Sequence, residues 1–257
     1  MQIGVCCGEK DLSTAARSGF SYLEIPAPGV RDLDGNALAL IRERAAGEGI
    51  RIGGLNCFFV GNISIYGDTI ENLVAFSEKS FRAGEKLGAS FCVIGSGRNR
   101  SIPEGMDPAA AKDRFMRLID AIGTRASEYG ITVIIEPLRY AETNYINTLA
   151  EGIEFSRAVG NPNVGCLVDF YHFYMNKEDL STFDIIRPGE LKHVHIARPD
   201  EGRGYPLAED EPVLRKWAAA LRSIGYDGRM TIECSWHDGF ENGAARAFSG
   251  MAPFLKN

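Results

Sequence analysis

Residues 131–169 read ITVIIEPLRYAETNYINTLAEGIEFSRAVGNPNVGCLVD. The run Thr132–Glu136 is short, rich in Ile and Val, and does not alternate apolar with polar residues. That is the pattern of a parallel strand buried on both faces. A polar loop follows, then a helical pattern over Thr148–Val159, a glycine at 160 and a second apolar run, Val164–Val168. Strand, loop, helix and strand within about forty residues make one βαβ unit.

The same unit repeats outward in both directions. Upstream runs of strand character are Ile3–Cys7, Tyr22–Ile25, Ile52–Asn56 and Ser90–Gly95; downstream runs are His193–Ile196 and Met230–Glu233. With the central pair they number eight. Helical segments are expected at Gly35–Glu48, Thr69–Leu87, Pro108–Tyr129 and Pro212–Ile224, besides Thr148–Val159. Asp107 is a natural N-cap before Pro108 at the first helical position. Gly19, Gly49, Gly88, Gly130 and Gly225 each stand where a helix must stop before a strand, a job for a left-handed residue. Eight βα units without a linker or compositional break predict a single (β/α)8 TIM barrel over residues 1–257, in keeping with the usual size of about 250 residues. An open doubly wound sheet would call for a Gly-rich phosphate turn, and neither GxGxxG nor GxxxxGK[ST] occurs.

Apolar residues make up 45% of the chain, enough for a sizeable core. The net charge of −6 argues against a nucleic-acid partner or a membrane surface. The N-terminus has no basic segment before an apolar run, and no stretch of about 18 apolar residues occurs, so a cytoplasmic protein is expected. Cys6, Cys7, Cys57, Cys92, Cys166 and Cys234 form no CxxC pair and read as small buried hydrophobes. Asn62-Ile63-Ser64 and Asn99-Arg100-Ser101 match the glycosylation pattern, which a cytoplasmic chain would not use.

In such a barrel the C-terminal ends of the strands converge on one mouth. The fifth strand ends Ile134-Ile135-Glu136, the sixth Leu167-Val168-Asp169, the seventh His193-Val194-His195-Ile196 and the eighth Thr231-Ile232-Glu233. A lone charged residue at a strand end is often a helix cap or a surface ion pair. Four on successive strands are different: three carboxylates crowded in one cleft raise one another's pKa, and a cation removes the conflict. Three oxygens and one imidazole suit one divalent metal, Mn²⁺ foremost, with Mg²⁺ or Co²⁺ as substitutes. Zn²⁺ would more often recruit further His or Cys. His193 and His195 lie two apart, so they share a side of the strand, and the mouth-proximal His195 is the better ligand. His172 falls three residues after Asp169, in what reads as a loop; His237 reads as an ordinary surface histidine.

Several segments resemble the xylose isomerase-like barrel superfamily, the sugar phosphate isomerase/epimerase family. They are Glu136-Pro137-Leu138 with Glu142-Thr143-Asn144 and Asn147-Thr148, Asp169-Phe170-Tyr171-His172, His193-Val194-His195-Ile196-Ala197 with Gly202-Arg203 and Pro206, and Gly225-Tyr226-Asp227-Gly228 leading to Ile232-Glu233. Ketose 3-epimerases are the closest analogy. The resemblance implies that Glu136, Asp169, His195 and Glu233 hold the metal, and that Glu142, His172 and Arg203 touch a sugar or polyol substrate. The family's loop after the fifth strand commonly reads E-P-L-N-R-x-E; here Arg139 and Tyr140 stand in the N-R positions. AP endonucleases share the fold and the D-x-x-H motif, but their zinc cluster needs histidines on the third and fourth strands, which here end at Asn56 and Gly95.

The chemistry expected is proton abstraction next to a carbonyl, with the metal stabilising the enediolate. Glu136 and Glu233 are the catalytic pair, one removing a proton and the other returning one from the far face, which gives C3 epimerisation of a ketose. A single base would give aldose–ketose isomerisation. Departure of a β-hydroxyl would make the enzyme a lyase or dehydratase on a keto-inositol or 3-keto glycoside. Trp236 suits stacking on a sugar ring or closing the mouth, and Asp238 beside it would repel a phosphate, so a substrate without phosphate is expected. Assembly into a homo-oligomer stays open.

Overall fold

The structure is a computed structural model that describes residues 1–200 and 202–255. Eight parallel strands, β1 (Gln2–Cys6), β2 (Tyr22–Pro26), β3 (Arg51–Asn56), β4 (Phe91–Ile94), β5 (Thr132–Ile135), β6 (Val164–Asp169), β7 (Leu191–Ile196) and β8 (Arg229–Ile232), form a closed barrel in sequence order. The seam closes by β1 pairing β8, with Val5 opposite Ile232. Around it run α1 (Leu12–Arg17), α2 (Gly35–Gly47), α3 (Ile70–Leu87), α4 (Gly97–Arg100), α5 (Pro108–Ser127), α6 (Leu149–Val159), α7 (Phe170–Met175), α8 (Glu211–Ser223), α9 (Phe240–Gly250) and α10 (Ala252–Leu255). Every expected strand and long helix is present, within a few residues at each end. Thr69 and Asp107 cap α3 and α5 through their side chains, and Thr148 with Glu151 closes a capping box on α6. Gly88 ends α3 in the left-handed region, as a helix stop requires.

The core divides in two because strand side chains alternate. Outward residues such as Val5, Ile25, Ile94, Ile135, Val168, Val194 and Ile232 pack with the helices into one large cluster. Tyr22, Phe91, Val93, Ile134 and Leu167 form a separate cluster. These are the inward residues of β2, β4, β5 and β6, and they fill the barrel's interior as packed layers. Space for the two rings comes from glycine. A Cβ on Gly4 would lie 2.3 Å from the Tyr22 ring, and one on Gly54 would lie 2.3 Å from the Phe91 ring. Thr231 on β8 ties the Tyr22 hydroxyl at 2.8 Å.

Two expectations need correction. His172 is not in a loop: it lies on α7 and is buried. Of the six cysteines, which are all free, only Cys92 and Cys166 are buried; Cys57 is exposed at the end of β3, where the backbone turns through φ 48°. No helix among the described residues is long and apolar enough to cross a membrane.

Candidate metal and active site

Continuing the inward register of the interior by two residues on each strand leads to the mouth. Ile134 is followed by Glu136, Leu167 by Asp169, His193 by His195 and Thr231 by Glu233. One ligand atom from each of Glu136, Asp169, His195 and Glu233 can be chosen so that all four lie within 4.8 Å of one another. Glu136, Asp169 and His195 are buried and Glu233 is partly so. His195 Nδ1 stands 3.2 Å from Glu136 Oε1 and 3.4 Å from Glu233 Oε2. Asp169 uses its two oxygens differently. Oδ1 accepts from the Tyr171 amide at 2.7 Å and so starts α7, while Oδ2 accepts from Arg203 Nη2 at 2.8 Å. Arg203 also donates to Glu233 Oε2.

The electrostatics show the strain of this crowding. Burial, and then the charge on Glu233, push the Glu136 carboxyl up to about 8. Burial also works to raise Glu233, but Arg203 and His195 outweigh it and bring Glu233 down to about 2. Burial would lower His195, yet Glu24 and Glu233 hold it well above the ordinary imidazole range. Such opposed shifts mark groups that share too little positive charge. The donor set of three carboxylates and one imidazole therefore fits a divalent cation, which would supply that charge directly.

The rim residues gather on the same side. His172 Nε2 is 3.5 Å from Asp169 Oδ2, and neither ring nitrogen has a hydrogen-bond partner among the described residues. Burial lowers its pKa, so the ring is neutral and one nitrogen can accept. Glu142 pairs with Arg139, whose Nε lies 2.7 Å from Glu142 Oε1 and whose Nη1 donates to the Tyr171 hydroxyl at 2.8 Å. The Tyr171 ring thus contacts two guanidinium groups, Arg139 at 5.3 Å and Arg203 at 4.9 Å from its centre. The departure from the family loop at Arg139 has a visible use: it fixes Glu142 against α7. Trp236 stacks on Tyr205 at 5.3 Å and meets the edge of Phe240 at 4.8 Å, so it sits in an aromatic cluster where the loop after β8 meets α9. Asp238 is already engaged, accepting from Tyr205 at 3.0 Å and pairing with Arg246. Its expected repulsion of a phosphate is therefore largely cancelled.

Residues 12–257 match the family described as xylose isomerase-like TIM barrel. The chain belongs to that family. Among curated members it is 28% identical over 228 residues to a D-psicose 3-epimerase of Agrobacterium fabrum, covering 86% of this chain and 77% of that one. It is 26% identical over 235 residues to an L-ribulose 3-epimerase of a Methylomonas species, covering 87% and 77%. A D-psicose 3-epimerase structure from Clostridium cellulolyticum H10, solved with D-tagatose, superposes over 100% of both chains with a TM-score of 0.84 at 19% identity. These relatives support an enzyme of the epimerase and isomerase type.

Two buried charged residues beside the site escaped the sequence reading. Glu24 lies in the middle of β2, inside the barrel, with its carboxylate between His193 and His195. The available signal was a single acid within the apolar run Tyr22-Leu23-Glu24-Ile25. Arg100, read only as the middle of a glycosylation pattern, is fully buried. It donates to the carbonyls of Glu136 at 2.9 Å and Ile146 at 3.3 Å, which pins the loop that carries Glu136 and Glu142.

Proposed function

We propose that this barrel is a divalent-metal-dependent sugar epimerase that works by proton abstraction next to a carbonyl, most simply at C3 of a ketose without a phosphate group. The observation that carries the reading is the convergence of Glu136, Asp169, His195 and Glu233 within 4.8 Å, in a chain whose relatives include proteins named ketose, D-psicose and L-ribulose 3-epimerase. Those four residues would hold the ion, with Mn²⁺ the expected occupant. Bound there, the ion would act as a Lewis acid on charge developing at the carbonyl.

The chain's own groups do the rest. Glu136 and Glu233 come from strands three apart around the barrel and can approach a substrate carbon from different sides. One takes the C–H proton and the other returns one, which inverts the carbon. His172 offers an acceptor and a donor to substrate hydroxyls, since its nitrogens have no other duty. Glu142, held by Arg139, would share that task. Arg203 donates to Asp169 and Glu233 through Nη2 and keeps Nε unbonded, so it can also donate to a substrate oxygen; the unphosphorylated substrate rests on the relatives named D-psicose and L-ribulose 3-epimerase.

The test is a panel of free ketoses, keto-inositols and sugar phosphates incubated with Mn²⁺ in deuterated water and read by NMR. The expected result is a C3 epimer of a free ketose with deuterium at the inverted carbon. Glu136→Gln and Glu233→Gln should each lower turnover by on the order of 10²-fold or more. A dehydrated product, or a tenfold preference for a phosphate ester that disappears in Arg203→Ala, overturns this assignment.

A further inference from the structure

The barrel interior contains a charged group that the proposed chemistry does not use. Glu24 is fully buried, 0% exposed, and stands outside the four-residue cluster; with Cys6 and His195 it forms a second group whose ligand atoms can lie within 4.8 Å of one another. Its oxygens stand 3.0 and 3.2 Å from His195 Nε2, and Oε2 stands 3.1 Å from His193 Nε2. Thr231 Oγ1 lies 3.0 Å from the same His193 nitrogen and 2.8 Å from the Tyr22 hydroxyl. The result is a continuous polar chain through the barrel interior, from the cluster through His195, Glu24, His193 and Thr231 to Tyr22.

We infer that Glu24 is a positioning residue that sets the tautomer of His195, so that His195 ligates the metal through Nδ1. The inference rests on the metal site proposed above. A carboxylate can only accept hydrogen bonds, so the His195 nitrogen that faces it must carry a proton. When a cation takes the place of the ring's other proton, the proton kept on Nε2 leaves the Nδ1 lone pair to the ion. Nδ1 is the atom facing Glu136 and Glu233, at 3.2 and 3.4 Å. Without an ion, Nδ1 can carry the ring's second proton toward those two carboxylates; a cation in the same place replaces that proton, while Glu24 keeps the other on Nε2. His193 Nε2 gives Glu24 a second partner at 3.1 Å. A carboxylate on the far nitrogen of a ligating imidazole also makes the ring a better donor.

Two measurements test this, neither of which needs the substrate. The chain has only four histidines, so ¹⁵N-histidine labelling resolves each ring. On the Zn²⁺-loaded protein, long-range ¹H–¹⁵N correlation should show His195 metallated at Nδ1 and protonated at Nε2. In Glu24→Gln, Zn²⁺ affinity by chelator competition should fall about 10- to 100-fold, while Tyr22→Phe, which breaks the same polar chain beyond His193, should stay within twofold of wild type. Should Glu24→Gln fail to fold, Glu24→Asp and the wild-type spectrum decide. His195 protonated at Nδ1, undiminished affinity in the folded Glu24 variant, or equal loss in Tyr22→Phe overturns the inference. In each of these cases the wild type binds the ion and the proposed metal site stands. A wild-type chain that binds no divalent ion overturns both.

Discussion

His172 is buried beside Asp169 with two unbonded ring nitrogens, an arrangement that is unfavourable unless a ligand completes it. Its role in the proposed reaction is binding, because it stands outside the set of four that can share one ion. His172→Ala should therefore raise KM about 2- to 10-fold, the worth of one ordinary hydrogen bond, and leave kcat within about twofold. Mn²⁺ affinity should not change. A fall in kcat by two orders of magnitude, measured by steady-state kinetics, would move His172 from binding into the chemistry. At this scale the sequence was legible where a side chain ends a strand. Glu136, Asp169 and Glu233 each close an apolar run and His195 stands one residue from the end of its own, and the barrel brings such positions together. Glu24 was not legible for the same reason: it lies mid-strand, and its partner His195 is 171 residues away. Only the closed barrel makes them neighbours.

Among the elements, strands and long helices announce themselves through apolar runs and caps, whereas α7 does not. It spans six residues, Phe170–Met175, too few to show a helical period, and it starts directly on Asp169, whose carboxylate caps it. The segment after α7 supports α6 in turn: Glu178 Oε2 accepts from the Leu149 amide in the first turn of that helix at 2.8 Å. Burial pushes the Glu178 carboxyl up to about 7, with Glu151 adding to the rise and the Leu149 amide opposing it. The folded value thus stands above the ordinary 4.5. Between these values the folded chain keeps a proton that the unfolded chain has lost. The stabilisation from the neutral form is complete below pH 4.5 and is lost as pH rises through about 7. Glu178→Gln is neutral throughout and its amide oxygen can still accept from Leu149. Its Tm should match wild type near pH 4.5 and exceed it at pH 8. A Tm difference that does not grow between those two pH values would show that the charge on Glu178 is well solvated.

For the molecule as a whole, the mouth is the place where the barrel concentrates unbalanced charge. Glu136, Asp169 and Glu233 face one another within 4.8 Å, and Arg203 with His195 meets only part of their demand. A divalent ion that binds this cluster in the folded chain, and far more weakly in the unfolded one, must stabilise the fold by linkage. At a free ion concentration of about 100 times Kd the gain is about 2.7 kcal/mol. For a domain of this size each kcal/mol moves Tm by about 2–4 °C, so Mn²⁺ should raise the Tm of chelator-stripped protein by roughly 5–10 °C. Asp169→Asn removes one carboxylate ligand and should lose most of that rise, although its own metal-free Tm need not be lower, since the variant also relieves some crowding. Differential scanning calorimetry with and without Mn²⁺ reads both. A rise of the same size in Asp169→Asn would mean that the ion binds elsewhere on the chain, and that the four residues converge for another reason.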